Sequence, residues 1–212
     1  EDYDNAIKFF TRILRLERLD EFDRGTALFK HAFAHYRRAR ENRAEEAQRR
    51  RDPETRNERV EYALGKSPRA DFAQVKQDLR GYGALFPRSP YVPEAHYLLA
   101  LTYDQLQERE SSIVELISLL KESDFRPDSI AVAENKPERV RNAARIARMK
   151  RLWAYWKKKT GNYLANKFYE DGDHHSAYRI YVALRTIDPS PEWQVPVLYQ
   201  IGLCEEKQGH FI

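Results

Sequence analysis

The stretch Gly172–Pro189, GDHHSAYRIYVALRTIDP, decides the fold. After the turn at Gly172, Ala177, Ile180, Tyr181, Leu184 and Ile187 recur at steps of three and four, and Pro189 stops the helix they define. The turn itself, YEDGDHHSAY (Tyr169–Tyr178), crowds Glu170, Asp171, Asp173, His174 and His175 around one glycine, as a metal site would. Adjacent helical residues diverge by about 100°, so His174 and His175 cannot both face one ion without distortion. No D-x-D-x-D-G frame surrounds Gly172 either. The stretch therefore reads as an inter-helix turn in which Gly172 permits the reversal, Asp173 caps the next helix and Ala177 allows close helix contact. No metal is expected.

The same grammar recurs. ADFAQVKQDLRGYGALFP (Ala70–Pro87) keeps Phe72, Val75, Leu79, Tyr82 and Phe86 in helical phase with Pro87 as the stop. QERESSIVELISLL (Gln107–Leu120) sets Ile113, Leu116, Ile117 and Leu120 on one stripe, and EDYDNAIKFFTRIL (Glu1–Leu14) does so with Tyr3, Ile7, Phe10 and Leu14. KQGHFI (Lys207–Ile212) repeats the turn and ends where its helix should begin. Taking Glu1, Ala70, Gln107, Gly172 and Gly209 as equivalent positions gives separations of 69, 37, 65 and 37 residues. Two are single units and two are doubles of a period of about 34 residues, built from a helix, a short turn and a second helix.

That period resembles the tetratricopeptide repeat (TPR). In VPEAHYLLALTYDQLQERESSIVELISLL, Ala95, Leu98, Leu99, Thr102 and Leu106 point inward, Ala100 sits where helices cross and Ser112 opens the second helix. In NYLANKFYEDGDHHSAYRIYVALRTIDP, Ala165, Gly172, Ala177 and Pro189 fill the small, turn, small and stop positions. From about Phe86 onward the chain is also similar to the BamD type of bacterial outer-membrane lipoprotein: Pro87, Ser89, Pro90 and Tyr91 match its approach to a repeat, and Ala165, Phe168, Tyr169, Gly172 and Ala177 match the unit after an extended helix. Gly161, His174 and residues 20–68 depart from that pattern. The resemblance implies an all-α, right-handed α-solenoid of about five to six TPR-like hairpins, some irregular or extended, forming a single domain over 1–212 that is truncated at both ends. Within it, 1–68 would be irregular repeats with an Arg-rich extension, 69–123 regular repeats, and 138–212 a long helix with C-terminal repeats.

Composition agrees with helix and narrows the chemistry. The chain has 212 residues, 42% hydrophobic, enough for a sizeable core, with eight glycines and ten prolines and no alternating β-branched segments. A formal charge of +4 from 37 basic and 33 acidic residues names no partner. The single cysteine, Cys204, excludes an internal disulfide and a cysteine-rich zinc cluster. No apolar run reaches the roughly 20 residues of a membrane helix. Residues 37–59, with nine arginines interrupted by six acidic residues, read as a solvated helical extension or mobile connection broken near Pro53 rather than as a nucleic-acid surface. Residues 124–137 read as an ordered loop, followed by a long helix carrying Val140, Ala144, Ala147, Trp153 and Trp156. In RMKRLWAYWKKK (Arg148–Lys159) the tryptophans are expected to be buried and the lysines wet.

Catalytic signatures are not found. HAFAHY places His31 and His35 one turn apart but has Ala32 where a zinc protease keeps its glutamate, and no third ligand is evident. There is no G-x-S-x-G, Walker or dinucleotide fingerprint. The expectation is a non-enzymatic scaffold without a cofactor. Stacked hairpins form a groove lined by first helices, which places Glu94, Tyr97, Leu101, Asp104, Tyr199, Leu203 and Glu206 in contact with a partner peptide or helix. The finer resemblance implies the periplasmic face of the outer membrane, an anchor outside this chain and a barrel-assembly subunit as partner. The alternative is an adaptor in secretion, pilus assembly or signalling outside the envelope, and a cytoplasmic location.

Overall fold

The structure is a computed structural model that describes residues 2–52, 54–55, 60–62, 65–121 and 136–209, with 136–142 described as backbone alone. Helices run in the order α1 (Tyr3–Leu14), α2 (Glu21–Arg51), α3 (Pro68–Leu79), α4 (Tyr82–Leu85), α5 (Val92–Gln105), α6 (Arg109–Lys121), α7 (Lys136–Glu170), α8 (His174–Arg185) and α9 (Pro191–Lys207). Among the described residues there is no strand. None of the helices is long and apolar enough to cross a membrane, among the described residues.

Helix starts are written in the local sequence. Asp2, Asp20, Ser67 and Asp173 each accept a hydrogen bond from the backbone N–H three residues on, at 3.1, 2.7, 3.2 and 3.0 Å, satisfying donors the helix cannot. Pro68 follows Ser67 at a position where its missing N–H is harmless. The α3 start therefore lies before Ala70, the position the repeat spacing selected for the turn.

The chain divides into two compact units, Glu1–Glu115 and Leu116–Ile212. In the first, α1 packs on α2, α2 on α3, and α3 and α4 on α5. Its core holds Phe29, Ala32, Ala39, Phe72, Val75, Leu79, Tyr82 and Leu99, each at most 2% exposed. Phe72, Val75, Leu79, Tyr82 and Phe86 are all buried as their spacing requires, but one helix does not carry them. Arg80 leaves the helical region and Gly81 adopts φ +74°, starting the separate turn α4. This break lets the Tyr82 hydroxyl reach the Gly25 carbonyl at 2.8 Å.

α2 continues through Arg51, so residues 37–51 are helical rather than a mobile connection, and Arg38 and Ala39 belong to the packed part of the helix rather than to a solvated extension. Nothing after Ala39 is buried in it, and Pro53 lies outside the described residues. The 124–137 loop falls outside them through residue 135.

In the second unit α7 packs on α8 and α8 on α9. Ala165, Ala177, Tyr181, Leu184, Val197 and Cys204 form its core, with Phe168, Tyr169, Tyr178, Ile180, Ile187, Trp193 and Ile201 packed around them. α7 passes Gly161 without a break.

Two inter-helix turns share one geometry. The Glu108 N–H donates to the Tyr103 carbonyl at 2.8 Å and the Gln107 N–H to Asp104 at 3.1 Å. Sixty-five residues later the Asp173 N–H donates to Phe168 at 2.9 Å and the Gly172 N–H to Tyr169 at 3.0 Å. Gln107 and Gly172 both take a left-handed φ, +65° and +82°. The register carries through the buried positions: Leu99 and Leu164, Ala100 and Ala165, Ser112 and Ala177, Leu116 and Tyr181, Leu119 and Leu184 are all at most 2% exposed. Gly209, φ +77°, and its N–H to Glu206 at 3.0 Å begin the same turn again.

Candidate binding surfaces

Two kinds of polar constellation stand out, one buried and one open. In the first unit, His31 and His35 on α2 face Asp78 and Asp71 on α3. Each imidazole Nδ1 lies 2.6 Å from a carboxylate oxygen, so each Nδ1 bears a proton and donates it. Arg38 binds Asp71 through Nε (2.9 Å) and Nη2 (2.6 Å), and reaches Asp4 on α1 through Nη1 (2.5 Å). Lys66 donates to the other oxygen of Asp4. Gln74 donates to Asp78 at 2.8 Å.

Asp71 is fully buried. Burial drives its carboxyl upward, but the His35 and Arg38 hydrogen bonds outweigh that and hold it below its ordinary value. Asp4 is lowered as well, chiefly by Lys66 and then Arg38. By the helix starts, Asp71 stands four residues after its cap as Ser112 and Ala177 stand after theirs. A small buried residue stands at that position in those two hairpins, whereas here it is a carboxylate held by His35 and Arg38 of α2. The donors and acceptors satisfy one another, and among the described residues no three His, Cys, Asp or Glu side chains converge as metal ligands would. The cluster reads as an interhelical clamp.

The turn around Gly172 behaves as its sequence indicates: Asp173 caps α8, with its carboxyl lowered by the Ser176 hydrogen bonds, and the His174 ring lies 4.8 Å from that of Tyr169. Trp153 and Trp156 are buried. The neighbouring lysines are less free than their run implied. Lys158 pairs with Asp188 and lies 4.7 Å over the Trp193 ring, and Lys159 lies 4.7 Å over Trp156.

The seven residues assigned to a groove occupy two helices in different units. On α5, Glu94, Tyr97, Leu101 and Asp104 follow at steps of three, four and three on a half-buried face opposite Ala95, Leu98, Leu99 and Thr102. Glu94, Tyr97 and Asp104 are engaged by neighbours. On α9, Tyr199 and Glu206 are exposed and Leu203 is half-buried. Tyr199, 65% exposed, joins Val195 and Leu198 in an apolar stripe.

The second unit also has an open groove of about 580 Å³ that the sequence reading missed. The end of α6 supplies Ile117, Leu120 and Lys121, α7 supplies Lys157, Leu164 and Phe168, and α8 with its following turn supplies Ser176, Arg179, Ile180, Ala183, Leu184 and Ile187. Three of these are cations and none is a carboxylate. Ser176 is polar and Ala183 falls out of phase with the core stripe of α8, which is why periodicity passed over them. Compared with known proteins, the chain matches no family model and no curated protein.

Proposed function

We propose that the chain is a non-enzymatic helical-repeat scaffold of the tetratricopeptide type, stacked as a right-handed solenoid, that holds a peptide or helix of a protein partner. One observation supports this above the rest: two hairpins 65 residues apart share turn hydrogen bonds and buried small pairs. A hairpin of this kind cannot bury its apolar face alone, so repetition favours stacking and an extended face along the first helices. In the same register Tyr97 corresponds to Asn162, and 37 residues on to Tyr199, which makes the α5 and α9 faces equivalent surfaces. Tyrosines joined by Glu94, Asp104 and Glu206 suit an apolar segment carrying a cation or free amide. The residue pattern after Phe86 favours a role in bacterial outer-membrane protein assembly, beside a barrel subunit. Affinity capture from extracts of the source organism tests the reading, with Tyr97→Ala and Tyr199→Ala as paired controls. Loss of the same partner from both variants is expected. Unchanged capture by both refutes the face assignment.

A further inference from the structure

The groove of the second unit differs from the first-helix faces in position and in chemistry. Along α8, Ser176, Ile180 and Ala183, then Ile187 just past the helix end, follow at steps of four, three and four. That alternation is how a helix presents a seam to a second helix. Small and branched side chains alternate along it, so Ser176 and Ala183 leave recesses about 10 Å apart, the length of seven helical residues, between the Ile180 and Ile187 ridges. α8 meets its own core chiefly with Ala177, Tyr181 and Leu184, each at most 2% exposed, while Ile180 and Ile187 pack at the core's margin and stay half-buried. Among the described residues the outer side of the seam is therefore open, with Ala183 exposed and Ser176, Ile180 and Ile187 half-buried. Ile117 and Leu120 form the facing wall, and Leu164 and Phe168 close the floor.

Charge selects the occupant. Lys121, Lys157 and Arg179 stand around the apolar floor, no carboxylate is among the described lining residues, and Lys121 and Arg179 are solvent-exposed. A basic segment would be repelled, and a neutral one would leave Lys121 and Arg179 unmatched along its flanks. A single long-chain anion would engage one head-group site and leave its tail wet on the open side. An amphipathic helix buries one face and keeps the other in water. We infer that this groove docks an amphipathic helix of a partner protein, its large apolar residues seated on Ser176 and Ala183 at heptad spacing and its flanks acidic.

The test is independent of the first-helix faces. Fluorescence anisotropy of the full chain is measured against two labelled synthetic peptides of about three heptads, one with leucine seams and glutamate flanks, the other with lysine flanks. The acidic peptide binds at least about tenfold more tightly than the basic one at low salt. Lys121→Glu with Arg179→Glu, and separately Ala183→Trp, each weaken it by about tenfold, while circular dichroism stays unchanged because all three positions are exposed. Tyr97→Ala and Tyr199→Ala leave this binding intact, so failure of one surface is separable from failure of the other. Equal affinity for the two peptides, binding unaffected by Ala183→Trp, or saturation by palmitate in place of the acidic peptide each overturns the inference.

Discussion

Gly161 and Leu184 interlock: a Cβ on Gly161 would lie 2.9 Å from Leu184 Cγ and closer still to Cδ2. Glycine inside a helix costs about 1 kcal/mol relative to alanine, yet Leu184 is only 2% exposed and the overlap reaches its Cγ, so a turn of its terminal methyls would not relieve it. Overpacking of this kind costs roughly 1–3 kcal/mol. Gly161→Ala is therefore expected to lower stability by about 1 kcal/mol in urea unfolding despite its better helix propensity. Leu184→Ala alone costs about 2–5 kcal/mol, and the double variant recovers at least about 0.5 kcal/mol relative to the sum. Strict additivity would show that the contact does not explain the glycine.

Gln107 holds a left-handed φ of +65° that side chains with a Cβ rarely adopt. Gln107→Gly is expected to raise stability by about 0.5–1 kcal/mol, and Gly172→Ala to lower it by about 1 kcal/mol. Thermal unfolding of the pair reads both signs in equivalent turns. The same sign for both would break their equivalence.

Asp71 makes the first unit acid-sensitive. Its folded pKa lies below the ordinary 3.8, so its stabilisation is complete above that value and is lost as pH falls through the folded value. Asp71→Asn removes the charge and one of the two acceptor oxygens that Arg38 and His35 share, and is expected to cost about 3 kcal/mol at neutral pH. The gap to the native chain should narrow below the ordinary carboxylate value, as followed by denaturant titration at several pH values. A constant gap would separate Asp71 from the acid response.

Cys204, fully buried with its thiol pushed up by burial, is a built-in probe of the second unit. A thiol reagent should label the native chain at least about a hundredfold more slowly than the denatured chain, since the reactive species is an exposed thiolate. Denaturant should release the reaction in step with loss of helical signal. Rapid labelling of the folded chain would contradict the packing of α9.

Local signals were the legible part of this chain. Asp2 and Asp173 announce helix starts through side-chain chemistry that acts within three residues, and the burial of Phe72, Val75, Leu79 and Tyr82 follows from their spacing. The break at Gly81 was hidden because the apolar phase runs straight across it. The clamp was hidden for a different reason: His31 and Asp78 are 47 residues apart, and nothing in HAFAHY indicates which carboxylates will face it. On α8 the periodic stripe Ala177, Ile180, Tyr181, Leu184 and Ile187 marked the core and its margin, but it could not tell that Ile180 and Ile187 also line a groove with Ser176, Arg179 and Ala183, because that role appears only when α6 and α7 supply the other walls.

The last turn of α2 carries Arg49, Arg50 and Arg51, where a helix concentrates partial negative charge and cations are favourable. Neutralising those three would take the formal charge from +4 to +1. One helix end thus sets most of the margin that keeps the protein away from its point of zero charge, where molecules cease to repel and precipitate. The arginine cluster completes a dipole, and colloidal stability comes with it.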